Sequence, residues 1–419
     1  MANLSLASPH RRLRMLAHTR RLVGVVLPLG AAVGLVAAAA LKGLGSFEPW
    51  VGRLGGRTHL TLLLPALGLF LVTLWLSLTR IGEVSLAEDM DLAHRDPYQV
   101  FPFRRSLAKV WGCAMTIGFG GSTGVEGPGK WLGSALGLQF HRLVRALSQR
   151  MAPFRRLLAP SAVMVRAGSA AALAAVFRAP LSGALMAAEH DGRLDAEATV
   201  PCLFAAASGF MVFSASLGLT PLLPVARAYQ AGSGELLWAV LLGLACGLGA
   251  TSFLWLKARL RRWLEPVPFV WRGLVAGLGL SLLALPAHLF WRGLPVTEGG
   301  GLELVAHLLN GGTPAPAALA FVALKLGATA LTLAGGGIGG TWLPSVALGA
   351  AIGAAFDAAL GLGQPGYMTL VGASAFAGAT HETLLVPVVF LAETTAQAAL
   401  VVPALVGTGV AYLVVRESA

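Results

Sequence analysis

One carboxylate in this sequence sits where a charge is costly. Glu126 lies between Gly124 and Pro128, far from any hydrophilic loop. An ionisable group held at membrane depth marks a functional site by default. Glycine tolerates irregular backbone and proline suits the first helical turn. The stretch Gly124-Val-Glu-Gly-Pro128 therefore predicts a helix whose start carries the glutamate. The first amides of a helix have no acceptor within it, and the positive end of its dipole lies there, so the start is a site for an anion. A glutamate at that point competes with the anion for the same amides, and on taking up a proton it carries one. The plainer alternative is a helix cap that serves stability alone.

A second G-x-x-x-P, Gly340-Thr-Trp-Leu-Pro344, follows at an offset of 216 residues. At that same offset Leu132-Gly-Ser-Ala-Leu-Gly137 matches Leu348-Gly-Ala-Ala-Ile-Gly353. Glycines crowd both approaches: Gly118, Gly120 and Gly121 before the first, Gly335, Gly336, Gly337 and Gly339 before the second. Both copies predict helices that begin inside the membrane, where irregular backbone must be buried in protein or line a watery cavity. Paired Gly/Pro-interrupted segments in two halves point to a transport site. The amides of Gly124, Val125, Glu126 and Gly127, and those of Thr341 and Trp342, are the candidate anion donors. Glycines that only let helices pack closely are the alternative.

These segments belong to a chain built for lipid. Of 419 residues, 56% are hydrophobic and 12% charged, with a mean hydropathy of +0.73; a soluble domain carries about 25% charge. Uncharged runs long enough to cross a ~30 Å hydrocarbon core fall at 22–41, 60–79, 198–226, 236–256, 273–291, 304–324, 326–356, 358–380 and 394–415. No ten-residue alternating segments suggest a β-barrel. The expected fold is an all-α polytopic membrane protein. Residues 1–21 form a basic N-terminus and 22–415 one transmembrane domain, with repeat halves near 60–217 and 236–415.

The net charge of +12 raises the question of nucleic acid, but its placement answers it. Basic residues gather at Arg11–Arg21, Arg142–Arg156 and Lys257–Arg272, between apolar spans. Basic connections mark the cytoplasmic side, so the N-terminus is expected in the cytoplasm of a cell membrane and no nucleic-acid partner is expected. The first span exceeds a signal-peptide core and lacks a cleavage site, so it is read as retained. Cys113, Cys202 and Cys246 suggest neither disulfide nor metal. No cofactor, metal or catalytic residue is expected. His381 and Glu382 are read as a helix start, and Arg166 and Arg178 as lying near helix ends.

At Gly124–Pro128 and Gly340–Pro344 the sequence resembles the CLC family of chloride channels and chloride/proton exchangers, in its bacterial form without CBS domains. The family's G-[KR]-E-G-P is similar to Gly124-Val-Glu-Gly-Pro128, with Val125 at the basic position. Its G-x-F-x-P is similar to Gly340-Thr-Trp-Leu-Pro344, with Trp342 for Phe. Phe177-Arg-Ala-Pro-Leu-Ser-Gly183 followed by Glu189, and Val388-Val-Phe-Leu-Ala-Glu393-Thr-Thr, resemble two further family helices. The resemblance implies an inverted-repeat fold with partly spanning helices, a homodimer with a pathway in each subunit, and chloride as the anion. It also implies that Glu126 is the gate.

Departures bear on the ligands. The family's G-S-G-I-P is poorly kept in Gly82-Glu-Val-Ser-Leu-Ala-Glu88, and Ser85 falls near its anion-coordinating serine. The family's coordinating tyrosine lies in a further helix that this chain, ending at Ala419, is expected to lack, and Tyr412 comes too early to replace it. His190 stands where exchangers carry an inner proton-transferring glutamate, and an imidazole loads and releases protons near neutral pH. Fluoride is therefore the alternative anion. An intramembrane serine hydrolase is the alternative of another class, because Gly120-Gly-Ser122-Thr-Gly124 matches G-x-S-x-G; that motif needs a strand–turn–helix setting and a placed histidine. A cation-coupled carrier of organic anions would share the repeat logic.

Overall fold

The structure is a computed structural model and describes residues 19–58, 61–84, 97–189, 196–223, 225, 227–230, 232–291, 293–361 and 363–418. Ser85 and His190 lie outside the described residues. The longer helices in chain order are α1 (Leu27–Thr58), α2 (Leu64–Leu78), α3 (Phe103–Gly118), α4 (Glu126–Arg150) and α5 (Ser161–Phe177). They continue with α6 (Pro180–Ala188), α7 (Ala196–Leu217), α8 (Ser233–Leu264), α9 (Phe269–Phe290) and α10 (Leu302–Leu309). The last are α11 (Ala315–Ala334), α12 (Trp342–Leu360), α13 (Tyr367–His381), α14 (Leu385–Thr395) and α15 (Val401–Ser418). Among the described residues there is no strand.

Eight helical segments of the described residues are long and apolar enough to cross a membrane, the first running Thr19–Arg53 and the last Ala398–Ser418. Helices α6, α10 and α14, of 9, 8 and 11 residues, fall short of the roughly 20 needed to span. The apolar runs expected at 304–324 and 326–356 are divided differently in space. The short α10 ends before Gly311 and Gly312, both at positive φ (74° and 82°), and a second break between α11 and α12 separates one run into two helices. Hydropathy reports apolar length and is blind to these glycine breaks. His381 and Glu382 end a helix rather than start one: His381 is the last residue of α13, and Glu382 takes the left-handed C-cap. The basic residues expected in loops instead lie partly on helices. Arg142, Arg145 and Arg150 ride the end of α4, and Lys257, Arg259, Arg261 and Arg262 the end of α8. Cations at helix C-termini complement the dipole.

The chain divides into two compact units. The first comprises Met1–Ala39, Met90–Ser106 and Lys130–Leu219. Its core sets Val25, Leu29 and Val33 against Ala167, Ala171 and Ala205, and α5 is buried from Ala167 to Phe177. The second comprises Ala40–Asp89, Leu107–Gly129 and Thr220–Ala419, and its α12 is buried from Trp342 to Ala355.

The duplication read at 132–137 and 348–353 returns as packing within each unit. In the first, Gly133 and Gly137 of α4 lie on the backbone of Gly168 and Met164. In the second, Gly349 and Gly353 of α12 lie on the backbone of Gly372 and Met368. A Cβ at any of the four would strike a carbonyl oxygen, so only glycine permits this approach. Small residues that let backbones meet are how helices associate where lipid offers no hydrophobic driving force.

Candidate functional site

Between α3 and α4, and again between α11 and α12, the chain makes the same turn. Gly120 and Gly336 occupy the left-handed region at φ 89° and 90°, which glycine enters without steric cost. Gly121 N–H donates to Thr116 O at 2.7 Å, and Gly337 N–H to Thr332 O at 2.9 Å. The two turns then bind each other reciprocally. Gly124 N–H donates to Gly340 O at 2.8 Å and Gly340 N–H returns to Gly124 O at 2.9 Å, forming an isolated antiparallel bridge.

Two threonines brace this crossing. Thr116 Oγ1 accepts from Ile338 N–H at 3.1 Å, while Thr332 Oγ1 accepts from Ser122 N–H at 3.0 Å. Each hydroxyl spends its proton on a carbonyl of its own helix, Gly112 at 2.9 Å and Ala328 at 2.8 Å. Thr116 and Thr332, and Ser122 and Ile338, are themselves 216 residues apart, so the bracing obeys the repeat. Buried backbone groups demand partners, and here each copy supplies those of the other.

The bridge brings the two helix starts face to face. Glu126 is the first residue of α4 and only 2% exposed. Its side chain crosses to the opposite copy, where Oε1 accepts from Leu343 N–H, the second amide of α12, at 3.2 Å. Gly124 and Gly340 leave the room: a Cβ on either would collide with the Glu126 carboxylate. A carboxylate on a backbone amide gains about 1.5–3 kcal/mol, as hydrogen bonds to charged groups do, and the positive end of α12 adds to it. The carboxylate oxygen thus takes an amide at a helix start, the kind of donor that also binds free anions.

Beside this contact lies a half-open cavity of about 390 Å³, reached by Thr123, Val125 and Leu343. Three carboxylates, Glu48, Glu298 and Glu303, line it. Lys325, wholly buried, donates to the carbonyls of Glu298 at 2.8 Å and Gly299 at 2.7 Å and so fixes the loop on one side of it. At the start of α12 a second polar group gathers. Thr341 Oγ1 is 3.0 Å from His381 Nε2, and Thr380 Oγ1 is 3.0 Å from Ser345 Oγ.

The structure thus brings together Gly124, Val125, Glu126, Gly127, Thr341 and Trp342. The amide that holds the carboxylate belongs to Leu343, one residue past those expected. Thr116, Thr332 and His381 join the candidate site although sequence reading missed them; the two threonines carry the same offset as the motifs. In the first unit Glu189 caps the end of α6, where burial raises its carboxyl above the usual range. Ser122, the hydrolase candidate, is wholly buried with its hydroxyl 2.8 Å from Thr329 Oγ1, a partner that is no base.

Comparison with known proteins follows the same lines. Residues 83–416 match the family described as voltage gated chloride channel. Chloride channel protein CLC-f of Arabidopsis thaliana is 26% identical over 92% of this chain, and CLC-e of the same plant 25% over 83%. The chain spans 52% and 51% of those two relatives, about half their length. A putative chloride channel protein ClcB-like of Ralstonia nicotianae is 27% identical over 92% of this chain and 86% of its own. Among solved structures, a slow cyanobacterial Cl⁻/H⁺ antiporter superposes with a TM-score of 0.80 at 20% identity, covering 95% of both chains. A CLC-type fluoride/proton antiporter gives 0.74 at 21% identity, covering 98% of both. Those likenesses establish the fold, an all-α polytopic membrane architecture. With most of its length inside the sequence match, this chain belongs to the voltage-gated chloride channel (CLC) family.

Proposed function

We propose that this protein moves small inorganic anions across a lipid bilayer, chloride foremost, through a pathway that Glu126 closes. The observation that carries the reading is the Glu126 carboxylate on the Leu343 amide at the start of α12. A helix start that binds one anion binds another of similar size, so departure of the carboxylate vacates a ready set of donors around Val125–Gly127 and Thr341–Leu343. Protonation removes the charge that holds Glu126 there, and anion access then increases as pH falls. Chloride is favoured because the sequence relatives are named as chloride channel proteins. Ser85 is proposed as a hydroxyl donor and His190, next to Glu189, as the inner proton carrier if transport is coupled.

Reconstitution in liposomes tests the reading. Chloride uptake is expected to exceed fluoride uptake, to rise with acidity and, in an exchanger, to drive protons the opposite way. Strong preference for fluoride over chloride would overturn the choice of anion. Absence of flux for chloride, nitrate and fluoride alike would overturn the reading itself.

A homodimer with one pathway per subunit is part of the proposal. Helices α7 and α15 each leave large apolar side chains outside their own units, among them Met211 at 65% and Leu413 at 53% exposure. Crosslinking in mild detergent is expected to trap a two-subunit species, and monomers at every concentration would contradict it.

A further inference from the structure

Thr341 is the N-cap of α12, yet its hydroxyl makes no capping bond to that helix. A capping hydroxyl ordinarily accepts from the second or third amide. Here the second, Leu343 N–H, is held by Glu126, and the third position is Pro344, which has no N–H. The hydroxyl turns instead to His381, the last residue of α13, with 3.0 Å between Thr341 Oγ1 and His381 Nε2.

The ring's other nitrogen decides which atom donates. His381 Nδ1 is 3.0 Å from the carbonyl of Ala377 and 3.0 Å from Thr380 Oγ1, whose own proton goes to the Phe376 carbonyl at 2.9 Å; both neighbours therefore accept, and in the neutral ring Nδ1 carries the hydrogen. Nε2 is then the acceptor, and Thr341 gives it its proton. The Trp342 indole lies against the ring at a centroid distance of 5.0 Å, edge to face, and keeps it in place.

We infer that Thr341 and His381 act as a proton-linked ligand at the anion site. When a proton from the aqueous phase settles on Nε2, that nitrogen becomes a donor and Thr341 must accept from it. The threonine O–H is thereby released toward the anion at the start of α12. The one bond made is Nε2–H, with its proton given up by hydronium in the aqueous phase; the threonine O–H stays intact and rotates, and the imidazolium adds a positive charge behind the hydroxyl. The inference rests on the reading that α12 receives the anion, and it names a polar group that recognises it.

The sign follows directly. Acidification favours the imidazolium, so anion affinity rises as pH falls. Among the described residues, Glu126, across Gly340, and Glu382, next in the chain, are charged side chains near the pair. The helices packed on α13 bring Glu393 on α14, Arg416 and Glu417 at the end of α15, Lys257, Arg259, Arg261 and Arg262 at the end of α8, and Glu303 and His307 on α10. Asp357 of α12 and Glu235 of α8 sit at the opposite end of α13, beside Gly366 and Gln364.

Chloride binding to Glu126→Gln protein in detergent, measured by isothermal titration calorimetry at pH 7.5 and 5.5, separates this pair from the gate. The affinity is expected to be roughly tenfold tighter at pH 5.5, the step from a neutral to a charge-assisted hydrogen bond. Adding His381→Gln keeps a hydrogen-bond acceptor without a titrating proton and is expected to abolish the step. Thr341→Val is expected to abolish it as well, whereas Thr341→Ser keeps the hydroxyl and the step. An affinity in Glu126→Gln protein that does not change with pH, or a step that survives His381→Gln, would overturn the inference while leaving the anion site standing. No chloride binding at either pH would overturn both.

Discussion

Glu126→Gln is expected to carry chloride at a rate that no longer changes with pH when the anion is saturating, and to carry no protons. The amide keeps the size of the protonated acid without its titrating hydrogen. It also lacks the charge that binds the carboxylate to Leu343 N–H at 3.2 Å. A bond of that kind contributes about 1.5–3 kcal/mol, so flux at pH 7.5 is expected to equal or exceed that of the unmodified protein by about tenfold. The comparison is made in liposomes with chloride and proton electrodes read together. A variant that keeps the ordinary rise of flux with acidity would show that Glu126 is a helix cap and no gate.

A side chain at Gly340 is expected to open the same gate from the other side. The added Cβ of Gly340→Ala falls on the Glu126 carboxylate. Either the carboxylate or the bridge to Gly124 must yield, and the carboxylate is the less constrained of the two. Neutral-pH flux is expected to climb toward the Glu126→Gln level with a diminished response to acid. Overpacking is expected to lower stability by about 1–3 kcal/mol as well. Gly409→Ala is the control, because nothing lies within 4 Å of its added Cβ; it is expected to leave flux, pH response and melting temperature unchanged. Ordinary gating in a folded Gly340→Ala protein would contradict the placement of Glu126.

The membrane class and the two helix starts were legible because they rest on composition and on Gly and Pro, whose backbone preferences are local. Pro128 and Pro344 each occupy the third position of their helices, as an N-terminal proline should. The facing of the two starts was not legible. It depends on the antiparallel bridge between Gly124 and Gly340 and on Thr116 and Thr332 serving amides 222 and 210 residues away. Threonine has no distinctive spacing in such a sequence, and only the 216-residue offset could have singled these two out. His381 was hidden for another reason. Its place depends on where α13 ends, and helix boundaries are the least certain part of any reading from periodicity. Leu343 could not be chosen by side-chain chemistry at all, since its contribution is a backbone N–H.

The central claim is that Glu126 stands in for the anion at the start of α12, and anomalous diffraction with bromide tests it most directly. Crystals of the Glu126→Gln protein grown in bromide are expected to show an anomalous peak within hydrogen-bonding reach of Leu343 N. Crystals of the unmodified protein at neutral pH are expected to show none at that position, with the carboxylate in its place. Bromide bound at Leu343 N while the Glu126 carboxylate still holds the same amide would contradict the account, as would the absence of a peak there in the Glu126→Gln crystals.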